Sequence, residues 1–367
     1  MKKTILRVAV MALLFAGCSD DNNNLEQEQA KVDMSDFYLY TDATEDGTNT
    51  RAVNGKKCNS MTVLNRRLNE NPGLYQKMYN IELHSRQFIA NLRPPGGNGN
   101  GNGGGPGGDN GGGDPVDDGL GIVTIPVYVH VLYNTNTENI SDSQIQSQID
   151  VLNEDFRKTN NDASLVPSEF APVATDTEIE FTLAGITRKQ SSITDWGTSD
   201  NMKSSSSGGI NPITPETHLN IWVVNKMSYR NYTVFGFAQF PGDDPSTDGV
   251  VVAHPYFGNT GTAGSVFPEI NLGRTATHEV GHYLNLRHIW GDGRCNRDDF
   301  VYDTPKSDRS NQGCPSYPTE HCRSNDMTMN YMDYTNDSCM YMFSDGQKER
   351  MRAVFAPGGP RASIVGN

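Results

Sequence analysis

Thr277-His278-Glu279-Val280-Gly281-His282-Tyr283-Leu284-Asn285-Leu286-Arg287-His288 decides how the rest of the chain is read. On a helix, His278 and His282 stand at i and i+4, so both imidazoles project from one face and can hold one zinc ion. Glu279 lies beside them, placed to act on a water rather than to ligate. His288 is too far along for the same face, so the helix must end and the chain turn back to deliver it. Asn285 stands where that turn is expected, and Asn is, after Gly, the residue that best tolerates a left-handed helix end. Two histidines on an ordinary surface helix could give the five-residue motif by chance. A third in register, with only eight His among 367 residues, argues against chance.

The pattern H-E-x-x-H-x-x-G-x-x-H with a later Met-turn is that of the metzincins. Here Asn285 stands in place of the usual Gly, and Asn330-Tyr331-Met332-Asp333-Tyr334 supplies the Met-turn. H-E-V-G-H-Y-L-N-L-R-H with N-Y-M-D-Y-T resembles the pappalysin family. So do S-D-S-Q-I-Q-S-Q-I-D-V-L-N-E-D-F and L-N-I-W-V-V-N, which extend the likeness over most of residues 120–355. The resemblance implies an α+β fold: a metzincin-like catalytic domain with a twisted mixed β-sheet, helices above a zinc cleft, and an irregular disulfide-stapled lower part. It implies a zinc endopeptidase acting on protein or peptide substrates, expected as a monomer. His278, His282 and His288 would bind Zn²⁺ and leave a fourth position to water. Glu279 would be the general base, Met332 a floor beneath the metal, and Tyr334 a group able to reach the metal or the oxyanion. In arginine-preferring relatives an acidic residue just before the last Cys lines the S1′ pocket; here that position is Ser338, preceded by Asp337. The rival readings are a zinc amidase on the same ligands and a catalytically silent surface-binding lipoprotein. A dead site would show a lost ligand or base, and none is lost.

The formal charge of −14, without a basic block, speaks against nucleic-acid binding. Lys2, Lys3 and Arg7 precede a short apolar run, Val8 to Ala16, too short to span a bilayer. Phe15-Ala16-Gly17-Cys18 is similar to a bacterial lipobox, with Cys18 as the lipidated residue; an ordinary signal peptide is the alternative. Ser19-Asp20-Asp21 resembles the tag of lipoproteins sent to the outer face of the outer membrane. Either way the chain leaves the cytoplasm and its cysteines can form disulfides. The expected organisation is a signal peptide at 1–17, a flexible tether at 18–50, a prosegment at 51–93, a Gly-rich linker at 94–119 and the catalytic domain at 120–367. In the prosegment Met61, Leu64, Leu68 and then Leu74, Met78, Ile81 fall at helical spacing, separated by Pro72-Gly73. Pappalysin-like enzymes carry there a Cys that ligates the zinc and silences the zymogen, which would be Cys58; the alternative is an unpaired thiol. The usual following Gly is Asn59 here.

In the catalytic part, Ile122 to Tyr133 reads as a strand, Ser141 with Gln144 as a capping box, and Ile145, Ile149, Leu152 and Phe156 as a helical stripe. Further strands are expected at 179–183, 219–224 and 249–253. The short run from Gly236 to Gly242 would be an edge strand, suited to pairing with extended peptide. His130, His218, His254 and His321 are read as structural or surface residues. Cys295, Cys314, Cys322 and Cys339 allow three pairings or a second zinc site, though no C-x-x-C pair occurs. Family resemblance implies Cys295–Cys322 and Cys314–Cys339. Asp298, Asp299, Val301, Asp303 and Thr304 cluster oxygens on one short loop, which suits Ca²⁺ as well as a solvated acidic turn; similar loops bind calcium in pappalysin-like enzymes.

Overall fold

The computed structural model describes residues 31–41, 58–92 and 117–366. The lipobox with Cys18 and nearly all of the Gly-rich tract lie outside the described residues.

Two helices come first, α1 (Ser60–Glu70) and α2 (Leu74–Leu92), broken at Pro72-Gly73 as the sequence requires. The catalytic part is built on a sheet of β1 (Val123–Tyr133), β2 (Ile179–Gln190), β3 (Leu219–Val224), β6 (Gly236–Ala238) and β7 (Val250–Ala253) in the order β2-β1-β3-β7-β6. The first four strands run parallel, and β6 lies antiparallel to β7 at one edge. A parallel sheet needs both faces covered, and β3 and β7 are accordingly buried along their whole length. β4 (Met227–Tyr229) and β5 (Tyr232–Val234) form a small hairpin ahead of β6. Helices α3 (Asp142–Phe156) and α4 (Arg274–Tyr283) pack on the sheet and on each other. β8 (Glu320–His321), β9 (Ser324–Asn325) and α5 (Asp345–Ala353) belong to the lower part. Two disulfides staple that part, Cys295–Cys322 and Cys314–Cys339, and occupy the cysteines a second zinc site would have needed.

Two local expectations need correction. Ser141 does cap α3, accepting from the Gln144 N–H at 3.2 Å, but the box is not closed. The buried Gln144 amide turns instead to the carbonyls of His254 and Phe257, at 3.2 and 2.8 Å, where a buried loop needs donors. The tether is the second. Residues 31–41 pack on the enzyme, with Leu39 in a small core of Met61, Leu64, Leu68, Leu74, Met78 and Phe240. The Tyr38 ring lies between the Arg287 and Arg297 guanidinium groups, at 4.7 and 4.1 Å. Its hydroxyl accepts from the Asp298 N–H at 2.9 Å and faces the Asp298 carbonyl at 2.6 Å.

Candidate active site

The site is made by how α4 ends. Asn285 adopts a left-handed φ of 73°. Its N–H donates to the His282 carbonyl at 2.9 Å, and the Leu286 N–H to the Gly281 carbonyl at 2.9 Å. This is a Schellman closure with Asn at the residue where Gly is commonest. The turn carries the Leu286 carbonyl back over the helix, where it accepts from His282 Nδ1 at 2.8 Å, and it swings His288 toward the other two imidazoles.

All three rings are oriented through Nδ1. His278 donates to the Tyr331 carbonyl at 2.7 Å, and His288 donates to Asp292 Oδ1 at 2.6 Å. Each Nε2 therefore presents its lone pair inward. The Nε2 atom of His282 lies 3.2 Å from that of His278 and 3.1 Å from that of His288. Three buried lone pairs that close repel one another unless a cation lies between them. Cys58 Sγ joins the group, all four candidate ligand atoms falling within 4.8 Å of one another. Burial and the Glu279 carboxylate push the Cys58 thiol well up; a cation at the imidazoles is what would favour thiolate there. The donor set thus fits zinc with a fourth, thiolate ligand.

The surroundings are equally specific. Met332 packs against α4, and a Cβ built on Gly281 would lie 2.4 Å from its sulfur, so Gly281 is needed for that approach. The indole of Trp290 stacks on His288, centroids 4.3 Å apart and planes 5° from parallel. Tyr334 lies edge-on to His288 at 4.9 Å and donates its hydroxyl to the Cys58 carbonyl at 3.2 Å. Burial raises the Tyr334 pKa well above its ordinary value, so it stays a neutral donor. Glu279 faces β6, where the absence of a side chain at Gly236 makes room: a Cβ there would meet Glu279 Cγ at 2.8 Å. Beneath α4, Asp155 accepts from Thr277 Oγ1 and from the Tyr331 hydroxyl, each at 2.7 Å. It thereby ties down both the residue before His278 and the residue whose carbonyl orients it.

The prosegment enters along the β6 edge. The Asn59 N–H donates to the Gly236 carbonyl at 3.1 Å, and Cys58 bridges Gly236 in parallel sense. Cys58, Asn59 and Ser60 thus lie in the cleft. Farther on, Glu82 of α2 meets Arg350 of α5 at 2.6 and 3.1 Å, both side chains buried.

Other expected site residues lie elsewhere. Asp337 is buried, and its carboxylate accepts from the Leu272 and Arg274 N–H groups at 2.9 and 3.3 Å and holds the start of α4. Ser338 is exposed beside the Cys314–Cys339 bridge. In the acidic loop, Asp303 turns to α5, accepting from Ser344 Oγ at 2.7 Å and the Gly346 N–H at 2.9 Å. Asp299 is buried and accepts from Thr304 Oγ1 at 2.8 Å. Asp292, Ser60, Gly236, Gly281 and Trp290 were not picked out by sequence reasoning. Asp292 stands four residues after His288 but belongs to no recognisable motif, and Ser60 acquires meaning only through long-range pairing.

Residues 212–356 match the family model described as pregnancy-associated plasma protein-A, peptidase M43. An extracellular metalloprotease of Arthroderma gypseum is 31% identical over 240 residues, covering 64% of this chain and 72% of the relative. One of Pyricularia oryzae is 30% identical over 245 residues, covering 64% and 75%. Among solved structures, mature mirolysin of Tannerella forsythia in complex with a cleaved peptide is 47% identical, with a TM-score of 0.63, covering 66% of this chain and 95% of its own. A promirolysin point mutant from the same organism is 40% identical, with a TM-score of 0.69, covering 84% and 97%. These likenesses mark an exported enzyme with a peptide substrate and disfavour both the amidase and the silent-binder readings. The chain belongs to the pappalysin family, peptidase M43, and is a zinc metalloendopeptidase made as a proenzyme.

Proposed function

We propose that His278, His282 and His288 hold the zinc ion, that Cys58 ligates it in the latent chain, and that Glu279 is the general base. The observation that carries this reading is the convergence of three inward Nε2 atoms and one Sγ at a single buried point. Bound zinc supplies Lewis acidity, lowering the pKa of water and polarising the scissile carbonyl. The chain's own groups do the rest. The β6 edge, vacated by Cys58 and Asn59, pairs with extended substrate and fixes its register. Glu279 takes the proton of the attacking water and returns it to the leaving amine. The Tyr334 hydroxyl, which in the latent chain donates to the Cys58 carbonyl, donates to the oxyanion once that carbonyl is gone.

The same reading covers the flanks. Cys18 carries the lipid and anchors the latent chain at the outer membrane, supported by the lipobox-like sequence. Cleavage after α2, in the Gly-rich tract of residues 96–113, frees the catalytic domain from anchor and prosegment together, supported by the composition of that tract. Asp298, Asp299, Val301, Asp303 and Thr304 hold a structural Ca²⁺, supported by the crowding of Asp298 on the buried Asp299, which with burial pushes the Asp299 pKa well up.

The test is casein hydrolysis by the activated enzyme. Phenanthroline and Glu279→Ala should each abolish it, and His288→Ala should lose zinc by elemental analysis. A folded His288→Ala protein with stoichiometric zinc and full activity would refute the ligand assignment.

A further inference from the structure

We infer that Ser60 is a second latch of the latent enzyme, acting on the catalytic base rather than on the metal site. The inference rests on the proposed role of Cys58 and Glu279 and extends it. Ser60 is fully buried, two residues beyond Cys58 and at the first position of α1. Its hydroxyl donates to Glu279 Oε2 at 2.8 Å and accepts from the Ala238 N–H at 2.8 Å. One hydroxyl therefore links the base to the edge strand on which substrate would lie. The Cys58 sulfur reaches the same carboxylate oxygen at 3.3 Å.

The geometry is cooperative. The Asn59 N–H is held by the Gly236 carbonyl, and Asn59 Oδ1 accepts from the Tyr232 hydroxyl at 2.9 Å. The tripeptide Cys58-Asn59-Ser60 thus binds the sheet edge, the base and Tyr334 in one stretch. With Ser60 in place, Oε2 is already accepting a hydrogen bond and the Ala238 N–H is already satisfied. The Ala238 N–H is then closed to a substrate strand, and a water that approaches Oε2 must compete with the Ser60 hydroxyl, whatever the state of the Cys58 sulfur. Latency by Cys58 alone would leave the base exposed each time the sulfur left the metal. Ser60 keeps it covered until α1 itself moves. A hydroxyl bonded to a carboxylate contributes about 10- to 100-fold to such a closed state.

The experiment uses the intact full-length chain and reads the alkylation rate of Cys58 by mass spectrometry, which reports opening of the segment without reference to activity. Ser60→Ala should speed alkylation by about 10- to 100-fold, and Ser60→Thr, which keeps the hydroxyl, should restore the slow rate. The same substitution in a Glu279→Ala background should add little, because the partner is already gone. Equal acceleration by Ser60→Ala in both backgrounds would overturn the inference, showing that Ser60 acts only through Ala238. No acceleration in either would also overturn it. Cys58 alkylated in the wild-type chain as fast as an unfolded thiol would instead refute the underlying cysteine latch, a distinct result.

Discussion

The prosegment's hold on the enzyme can be weakened at one buried ion pair, whose Arg350 also donates to the Asn285 carbonyl at 2.9 Å. Glu82 on α2 makes two hydrogen bonds to Arg350 on α5 and one to Arg86, at 2.8 Å. Burial would raise its pKa, but Arg350 and Arg86 overcome this and pull it from 4.5 down to about 2. At about 1.4 kcal/mol per pH unit, that depression sets a ceiling of roughly 3 kcal/mol on the docking free energy, because Arg86 lies on α2 itself and keeps its share on undocking. The sign follows from the direction. Because the docked value lies below the undocked one, the stabilisation is fully present above about pH 4.5 and is lost as pH falls through about 2. Glu82→Gln removes the charge at all pH values and leaves Arg350 buried opposite an amide. The assay is hydrogen exchange of the intact latent chain. At neutral pH the α2 amides of the variant should lose up to roughly 3 kcal/mol of protection, at most about two orders of magnitude in rate, while β1 and β3 keep theirs. Wild-type α2 should converge on the variant as the pH is lowered from 5 toward 3. Unchanged α2 protection would refute the reasoning. So would parallel loss in β1 and β3, which would mean that the pair stabilises the catalytic fold rather than the docking.

Asp292→Ala should weaken zinc binding by about 10- to 100-fold in competition with a chromophoric chelator, and Asp292→Asn, which keeps an acceptor for His288 Nδ1, should weaken it less; equal affinities in all three proteins would exclude a positioning role. Asn285→Gly should leave the melting temperature unchanged or raise it, whereas Asn285→Val should cost about 1–2 kcal/mol at the left-handed φ, or about 2–8 °C for a domain of this size; identical melting curves would contradict the Schellman reading.

The ligand set was legible because its geometry is local. An i,i+4 pair, a helix-ending Asn285 and a third His within six residues need no tertiary information beyond one turn. The parallel strands were legible from continuous apolar runs such as Leu219-Asn220-Ile221-Trp222-Val223-Val224. What escaped depends on contacts between distant residues. Ser60 and Glu279 are separated by 219 positions, and nothing near either announces the pair. Gln144 satisfies the local cap signature, yet a buried loop 110 residues on competes for its amide and wins. Residues 31–41 have too few apolar groups for a periodic signal, since rings and guanidinium groups rather than an aliphatic stripe seat Tyr38. Asp337 and Asp303 each also satisfy backbone N–H groups at a helix start, a role that no local pattern in the sequence announces.

The tether and prosegment together touch the enzyme at three separated places: Tyr38 of the tether against Arg287 and Arg297, the tripeptide in the cleft, and Glu82 on Arg350. While the chain is continuous these act as one tethered ligand, at an effective concentration on the order of millimolar. A single cut between Leu92 and Asp117 breaks none of the contacts; it changes only the molecularity. The fragment then leaves by dilution, and how completely it leaves depends on how much enzyme shares the same volume. Enzyme cut in a confined compartment would stay largely inhibited by its own fragments. The same molecules dispersed into open medium would switch on, with no further chemical event.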